Sequence, residues 1–128
     1  MKKDFDAWNE KKKKIHNESS GPFSHKREVW WCSLGVNVGF EQDGTGENYE
    51  RPVLILRGFN EYVSLVLPLT SSTKKNKYHV LVGEIQGRKA FAIISQIRFI
   101  DSKRLINKVG VVNKEIFENI RKIVKDLL

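Results

Sequence analysis

A single cysteine in 128 residues has no internal partner, so the chain forms no disulfide within itself. Cys32, set in the apolar stretch EVWWCSL, fits a reducing compartment. Three scattered histidines, His16, His25 and His79, add too little to that one thiol to build a metal cluster, and no metal or other cofactor is expected. No apolar run approaches the length of a membrane span. The opening MKKDFDAW also lacks the apolar centre of a signal peptide. A soluble, cytoplasmic protein is expected. Acid is scarce as well: 15 Asp and Glu against 23 Lys and Arg leave a formal net charge of +8. That excess favours polyanionic partners without locating a site for them.

What is present suffices for one core. The length is near that of a common single domain, with 40% hydrophobic and 10% aromatic residues. Residues 3–17, KDFDAWNEKKKKIHN, place Phe5, Trp8, Lys12 and Ile15 at helical spacing, with acids early and lysines late as a helix dipole prefers. The Ser, Gly and Pro of ESSGPFSHK then read as a linker. Residues 1–27 are therefore expected to form a basic helical extension carrying half of the net charge, ahead of a domain over 28–128. Within that domain, short apolar runs predict strands at Glu28 to Leu34, Val53 to Leu56, Val63 to Leu67, Tyr78 to Val82, Ala90 to Ile94 and Gln96 to Ile100. The tetrapeptide QGRK at 86–89 suits a hairpin turn. Asn113 caps a closing helix whose apolar stripe is Ile116, Ile120, Ile123, Val124 and Leu127. The fold class is mainly β with helices: a small SH3-like barrel with an N-terminal helical extension and a C-terminal helix.

Two long loops, Gly35 to Arg51 and Leu69 to Lys77, are where function should concentrate. The first contains Gly39, Gly44 and Gly46 but no GKS or GKT, so it is no phosphate-binding P-loop. At its end, in ERPVLIL, Pro52 marks the start of a strand, because proline cannot donate to the ladder. Arg51 falls at the rim. The second loop opens PLTSST, a run of hydroxyls. An arginine opening one strand and a hydroxyl closing the next lie on the same edge of an antiparallel pair. A guanidinium beside a hydroxyl can grip a phosphodiester, stabilise its transition-state charge and orient an attacking 2′-hydroxyl. Lys74 and Lys75 stand ready for neighbouring phosphates.

Trp31, Gly39, Glu41 with Gln42, Gly44, Arg51 with Pro52, Phe59 with Asn60, Pro68 to Ser71, Gln96, Arg98, Ile100 with Asp101, and Lys103 to Leu105 follow one another in a recognisable order. In that order the chain, over about residues 27–128, resembles the MazF/PemK (Kid) family of toxin endoribonucleases. The resemblance implies a barrel homodimer that cuts single-stranded RNA without a metal, leaves a 2′,3′-cyclic phosphate, arrests growth and is neutralised by a small antitoxin. It assigns the catalytic roles to Arg51 and Thr70. RNA contacts fall to Glu41, Gln42, Ser71, Ser95 and Gln96.

Two positions depart from one branch of that family. Where some relatives have a histidine before the Glu-Gln pair and an aspartate before the later glutamine, this chain has Phe40 and Ser95. The alternative reading is a weak or inactive barrel that binds RNA, or one that poisons a protein partner such as DNA gyrase. Trp30, Trp31 and Cys32 are expected in the core or a dimer interface.

Overall fold

The run Val53 to Leu56 lies at the centre of the molecule. The computed structural model describes residues 5–16, 22–34, 50–72 and 76–128. In it this run belongs to β2 (Glu50–Gly58), which pairs antiparallel with β1 (Glu28–Ser33) on one side and β3 (Val63–Thr70) on the other. Successive strand residues point to opposite faces, and both faces of β2 are covered. Val53 and Ile55 join Trp30, Cys32, Val66, Ile100 and Leu105 in one apolar cluster. Leu54 and Leu56 join Val29, Leu67, Leu69, Phe117 and Ile120 in another. A strand buried on both sides reads as unbroken apolar sequence rather than as alternation, and VLIL is that pattern.

The remaining strands are β4 (His79–Ile85), β5 (Arg88–Ile93), β6 (Arg98–Asp101) and β7 (Leu105–Val111). They complete a seven-stranded sheet ordered β4-β5-β3-β2-β1-β7, with β6 also on β3. Besides β2, β3 serves two further neighbours: its first half pairs with β6 and its last two residues, Leu69 and Thr70, pair with β5. The sheet thereby curls into an antiparallel half-barrel. Its ends approach, since a methyl added to Gly110 of β7 would meet Ile85 Cδ1 of β4 at 3.7 Å. Gln86 and Gly87, with φ of 52° and 78°, form the two-residue turn between β4 and β5; two positive φ angles are the mark of a type I′ hairpin.

Several expectations are refined. β2 starts at Glu50, so Pro52 is the third residue of the strand, opposite Trp31, rather than its first. β3 runs on to Thr70, shortening the loop expected from Leu69. β7 is an addition to the strands expected from sequence: in LINKVGV only Leu105 is buried, and Asn107, Lys108 and Gly110 break any apolar run. The closing helix, α2 (Lys114–Leu127), is capped as expected, with Asn113 Oδ1 accepting from the N–H groups of Glu115 at 2.8 Å and Ile116 at 3.3 Å. Ile120 and Val124 are buried, but Leu127 is 45% exposed and Phe117, absent from the expected stripe, is completely buried.

The N-terminal helix is α1 (Phe5–His16). Trp8 is its anchor, 5% exposed, beneath the Arg104 guanidinium at 5.5 Å from the ring centroid. Arg104 also donates to the Ser33 carbonyl at 3.3 Å, tying a short 3-10 turn (Ser102–Arg104) to β1. Phe5 is half-exposed, and the side chain of Ile15 lies outside the described residues. Of the expected linker, residues 22–26 are described, and Ser24 lies against the sheet, its Oγ 3.0 Å from Ser64 Oγ. Arg27 takes a left-handed φ of 77°, unfavourable for a residue with a Cβ. Three hydrogen bonds hold it there: its N–H to Ile55 O, its Nε to Val112 O, and its carbonyl accepting from Val112 N–H.

This packing sets three measurable outcomes. A Cβ at Gly58 would stand 2.8 Å from the Ser24 carbonyl oxygen, so Gly58→Ala should cost about 1–3 kcal/mol, read as a lower urea midpoint. Cys32, whose thiol burial pushes up to about 12 against the opposing charges of Arg104, Arg98 and Lys11, should resist alkylation in the native protein at mildly alkaline pH and react once denaturant is added. Burial works against ionisation of Glu28, yet hydrogen bonds from Trp30 Nε1 and His25 N–H, with Lys108 close by, outweigh it and hold the carboxyl below its ordinary range. Such a group stabilises the fold above its unfolded pKa and stops doing so as pH falls through the folded one. Glu28→Gln should therefore lose stability near neutral pH and converge with the parent in acid, in urea titrations at a series of pH values.

Candidate functional site

The register of β2 on β3 sets Val53 opposite Pro68 and Leu54 opposite Leu67. That ladder ends at Val53–Pro68, and Arg51 and Thr70 each lie two residues beyond it on their own strand. The Arg51 side chain reaches toward β3: Nη1 donates to the Leu69 carbonyl at 3.1 Å. This bond ties the guanidinium to the peptide that leads into Thr70. Just past the strand end, Thr70 Oγ1 accepts the Ser72 N–H at 3.1 Å, a local turn that Thr commonly stabilises. A hydroxyl that accepts in this way keeps its single O–H as a donor.

Arg51 and Thr70 both line a cleft of about 470 Å³. Trp31 and Pro52 from the β1–β2 pair, Leu69 from β3, and Ile85 and Ala90 from the β4–β5 hairpin make its apolar part. Its polar part consists of Arg51, Thr70, Ser71 and Ser72, with Gln86, Arg88 and Lys89 across from them on the hairpin. Three cations and three hydroxyls line it, with no carboxylate among its described lining residues. Cationic donors beside hydroxyls, on a concave surface, suit an anion carried on an organic group.

Of the residues singled out from sequence, the structure brings Arg51, Thr70 and Ser71 together. Ser95 and Gln96 lie on a 3-10 turn (Ile94–Gln96) between β5 and β6. That turn packs on β3, and neither residue is part of the cleft lining. Glu41, Gln42, Lys74 and Lys75 lie outside the described residues. Glu50, adjacent to Arg51 in the chain, is not among the lining residues, and its charge is one of those that act on Lys11 against burial. His79 is on β4 and does not line the cleft. Among the described residues no three His, Cys, Asp or Glu side chains gather where they could hold a metal ion.

Sequence reasoning missed Trp31, Arg88 and Lys89 as site residues. Strand alternation held the signal for the first: two adjacent tryptophans in one strand face opposite ways. Trp30 is buried, its Nε1 donating to Glu28 Oε1 at 3.0 Å. Trp31 is only half-buried. Trp30 is thus in the core, as expected, and Trp31 forms part of the cleft lining. Arg88 and Lys89 read in sequence only as part of a turn, and it is the curl of the sheet that carries that turn back beside Arg51.

Comparison with solved structures finds the same architecture. MazF (Form-I) from Deinococcus radiodurans superposes with a TM-score of 0.69 at 19% identity, over 83% of this chain and 96% of that one. The Mycobacterium tuberculosis toxin MazF-mt6 gives 0.60 at 15% identity, over 78% and 94%. An endoribonuclease in complex with its cognate antitoxin, from a mycobacterial species, gives 0.59 at 14% identity, over 81% and 93%. At such identities the likeness carries the fold. No curated protein sequence matches this chain. The model of the PemK-like, MazF-like toxins of type II toxin-antitoxin systems matches residues 25–128, which is the whole sheet together with α2, and the chain belongs to that family.

Proposed function

We propose that this toxin-family chain cuts single-stranded RNA without a metal ion, as the toxin of a pair whose other member is a small acidic antitoxin. The observation that carries the reading is the meeting of Arg51 and Thr70 at one cationic cleft, with the guanidinium held to the Leu69 carbonyl at 3.1 Å. The reading gains support from structural neighbours named as endoribonucleases, one of them in complex with its cognate antitoxin. The formal net charge of +8 suits both an RNA backbone and an acidic antitoxin.

In the reaction the 2′-hydroxyl oxygen of the substrate attacks the adjacent phosphorus. The bond to the 5′ oxygen breaks, and one proton moves in net terms from the 2′-hydroxyl to the departing 5′ oxygen. The products are a 2′,3′-cyclic phosphate and a 5′-hydroxyl. Arg51 binds the non-bridging oxygens and neutralises the charge that grows on them, the kind of preorganised electrostatic stabilisation that is worth most in a partly desolvated site. Thr70 donates to the same phosphate and holds it in line. Ser71 supports it from the same turn. The RNA on either side runs past Glu41, Gln42, Ser95 and Gln96, with Lys74 and Lys75 on its phosphates, and the working form is a homodimer.

Purified protein incubated in EDTA with single-stranded RNA of mixed sequence should release fragments bearing 5′-hydroxyl ends. Arg51→Ala should lower the rate by about 10²–10³-fold or more, the usual cost of deleting a donor to a developing oxyanion. Equal cleavage by that variant would remove Arg51 from the site. RNA that binds and stays whole with the parent protein would favour the reading as an RNA binder, to which Phe40 and Ser95 already point.

A further inference from the structure

We infer that the apolar part of the cleft is a nucleobase subsite, in which one base of the RNA stacks on Trp31 while Arg88 and Lys89 hold a neighbouring phosphate. The inference rests on the RNA-cleavage reading above and assigns a substrate position to residues which that reading leaves without a role.

Strand geometry forces Trp30 and Trp31 apart. Trp30 completes the inner cluster, 8% exposed, with its indole N–H satisfied by Glu28. Trp31 faces the opposite way, toward the side of the sheet that carries Leu54, Leu67 and Leu69. There it stays half-buried, lining the cleft beside Pro52 and Leu69. A large aromatic surface in a concave, water-accessible position is costly to leave uncovered, and aromatic faces are the usual platforms for unpaired bases because every base has a π-face.

The occupant follows from charge. All three ionisable side chains among the described residues lining the cleft, Arg51, Arg88 and Lys89, are cationic, so an apolar peptide or lipid tail would leave them facing no anion. A nucleotide satisfies both halves of the lining at once: its base covers the indole, and its phosphates meet the cations. A volume of about 470 Å³ falls within the roughly 300–1,000 Å³ of pockets that take small organic ligands. The type I′ turn at Gln86 and Gly87 is only two residues long, so Arg88 and Lys89 stand on a tightly constrained hairpin rather than on a loose tether. With Arg51 on the far side, the phosphates on each flank of the stacked base have a cation within the same cleft.

The test uses an uncleavable probe, a short 2′-O-methyl RNA of mixed sequence, with affinity read by anisotropy of a dye on the probe and indole emission read separately. Binding should quench the parent protein's emission. Trp31→Phe should bind within about threefold of the parent and lose the quench, because Trp8 and Trp30 are buried away from the cleft. Trp31→Leu should bind about 5- to 150-fold more weakly, the loss expected for one stacked base. Removing both hairpin cations in Arg88→Gln/Lys89→Gln should lower the slope of log affinity against log salt by about 0.7 for each phosphate that is no longer neutralised. With natural RNA, the Leu substitution should raise KM more than it lowers kcat.

Binding of the probe without any quench in the parent, or Trp31→Leu binding as the parent does, would overturn the subsite. So would a quench that persists in Trp31→Phe, a variant that keeps the aromatic packing and therefore the fold. The two readings separate cleanly. RNA cut by the parent and by Trp31→Leu with the same KM leaves the nuclease standing and removes the subsite. Probe quenching through Trp31 in a protein that cuts no RNA leaves the subsite standing and removes the nuclease.

Discussion

Each residue of β2 from Val53 to Leu56 is buried, and consecutive residues serve opposite faces of the sheet. A slip of one residue against β1 or β3 would exchange the members of the two apolar clusters and present each with side chains shaped for the other. The register is thus pinned from both sides, more firmly than in a strand with one solvated face. Everything at the open end of the sheet inherits that precision. Arg51 and Thr70 lie beyond that ladder on their own strands, and they line one cleft because the residues that follow Pro52 are held against β3 in that register.

Local interactions then finish what the register begins. The carbonyl of Leu69 takes one guanidinium N–H, and the Ser72 amide donates to the Thr70 hydroxyl. Each of these bonds fastens one group to backbone that the sheet has already placed. The second wall comes from farther along the chain, since β3 hands its last two residues to β5 and so swings the β4–β5 hairpin over the cleft. Neighbours at 14–19% identity share this architecture. The half-barrel is therefore a scaffold that widely different side chains can build, and the chemistry has to be argued from the cleft.

Much of this was legible in the sequence, for identifiable reasons. The unbroken run VLIL, the glycine of QGRK and the asparagine ahead of KEIFENI are local signals, and each element they announced is present. That Arg51 and Thr70 would share one edge was legible because strand ends in an antiparallel pair come together. β7 was hidden because it lies at the sheet's edge, where Asn107, Lys108 and Gly110 are tolerated. Phe117 was hidden because helical spacing alone does not say how wide the buried face of α2 is. Trp31 and Arg88 could be recognised as lining one cleft only after the sheet had curled, and the curl comes from β3 pairing with both β5 and β6 besides β2, which no short window of sequence records.

The burial of β2 on both faces has a thermodynamic consequence. Two hydrophobic clusters that draw alternate residues from one strand cannot loosen independently, since freeing either requires pulling out the residues that fill the other. The sheet should melt as a single cooperative unit. The middle of the sheet, Val53 to Leu56 with the residues packed on either face, then keeps its two clusters together up to the temperature at which both are lost.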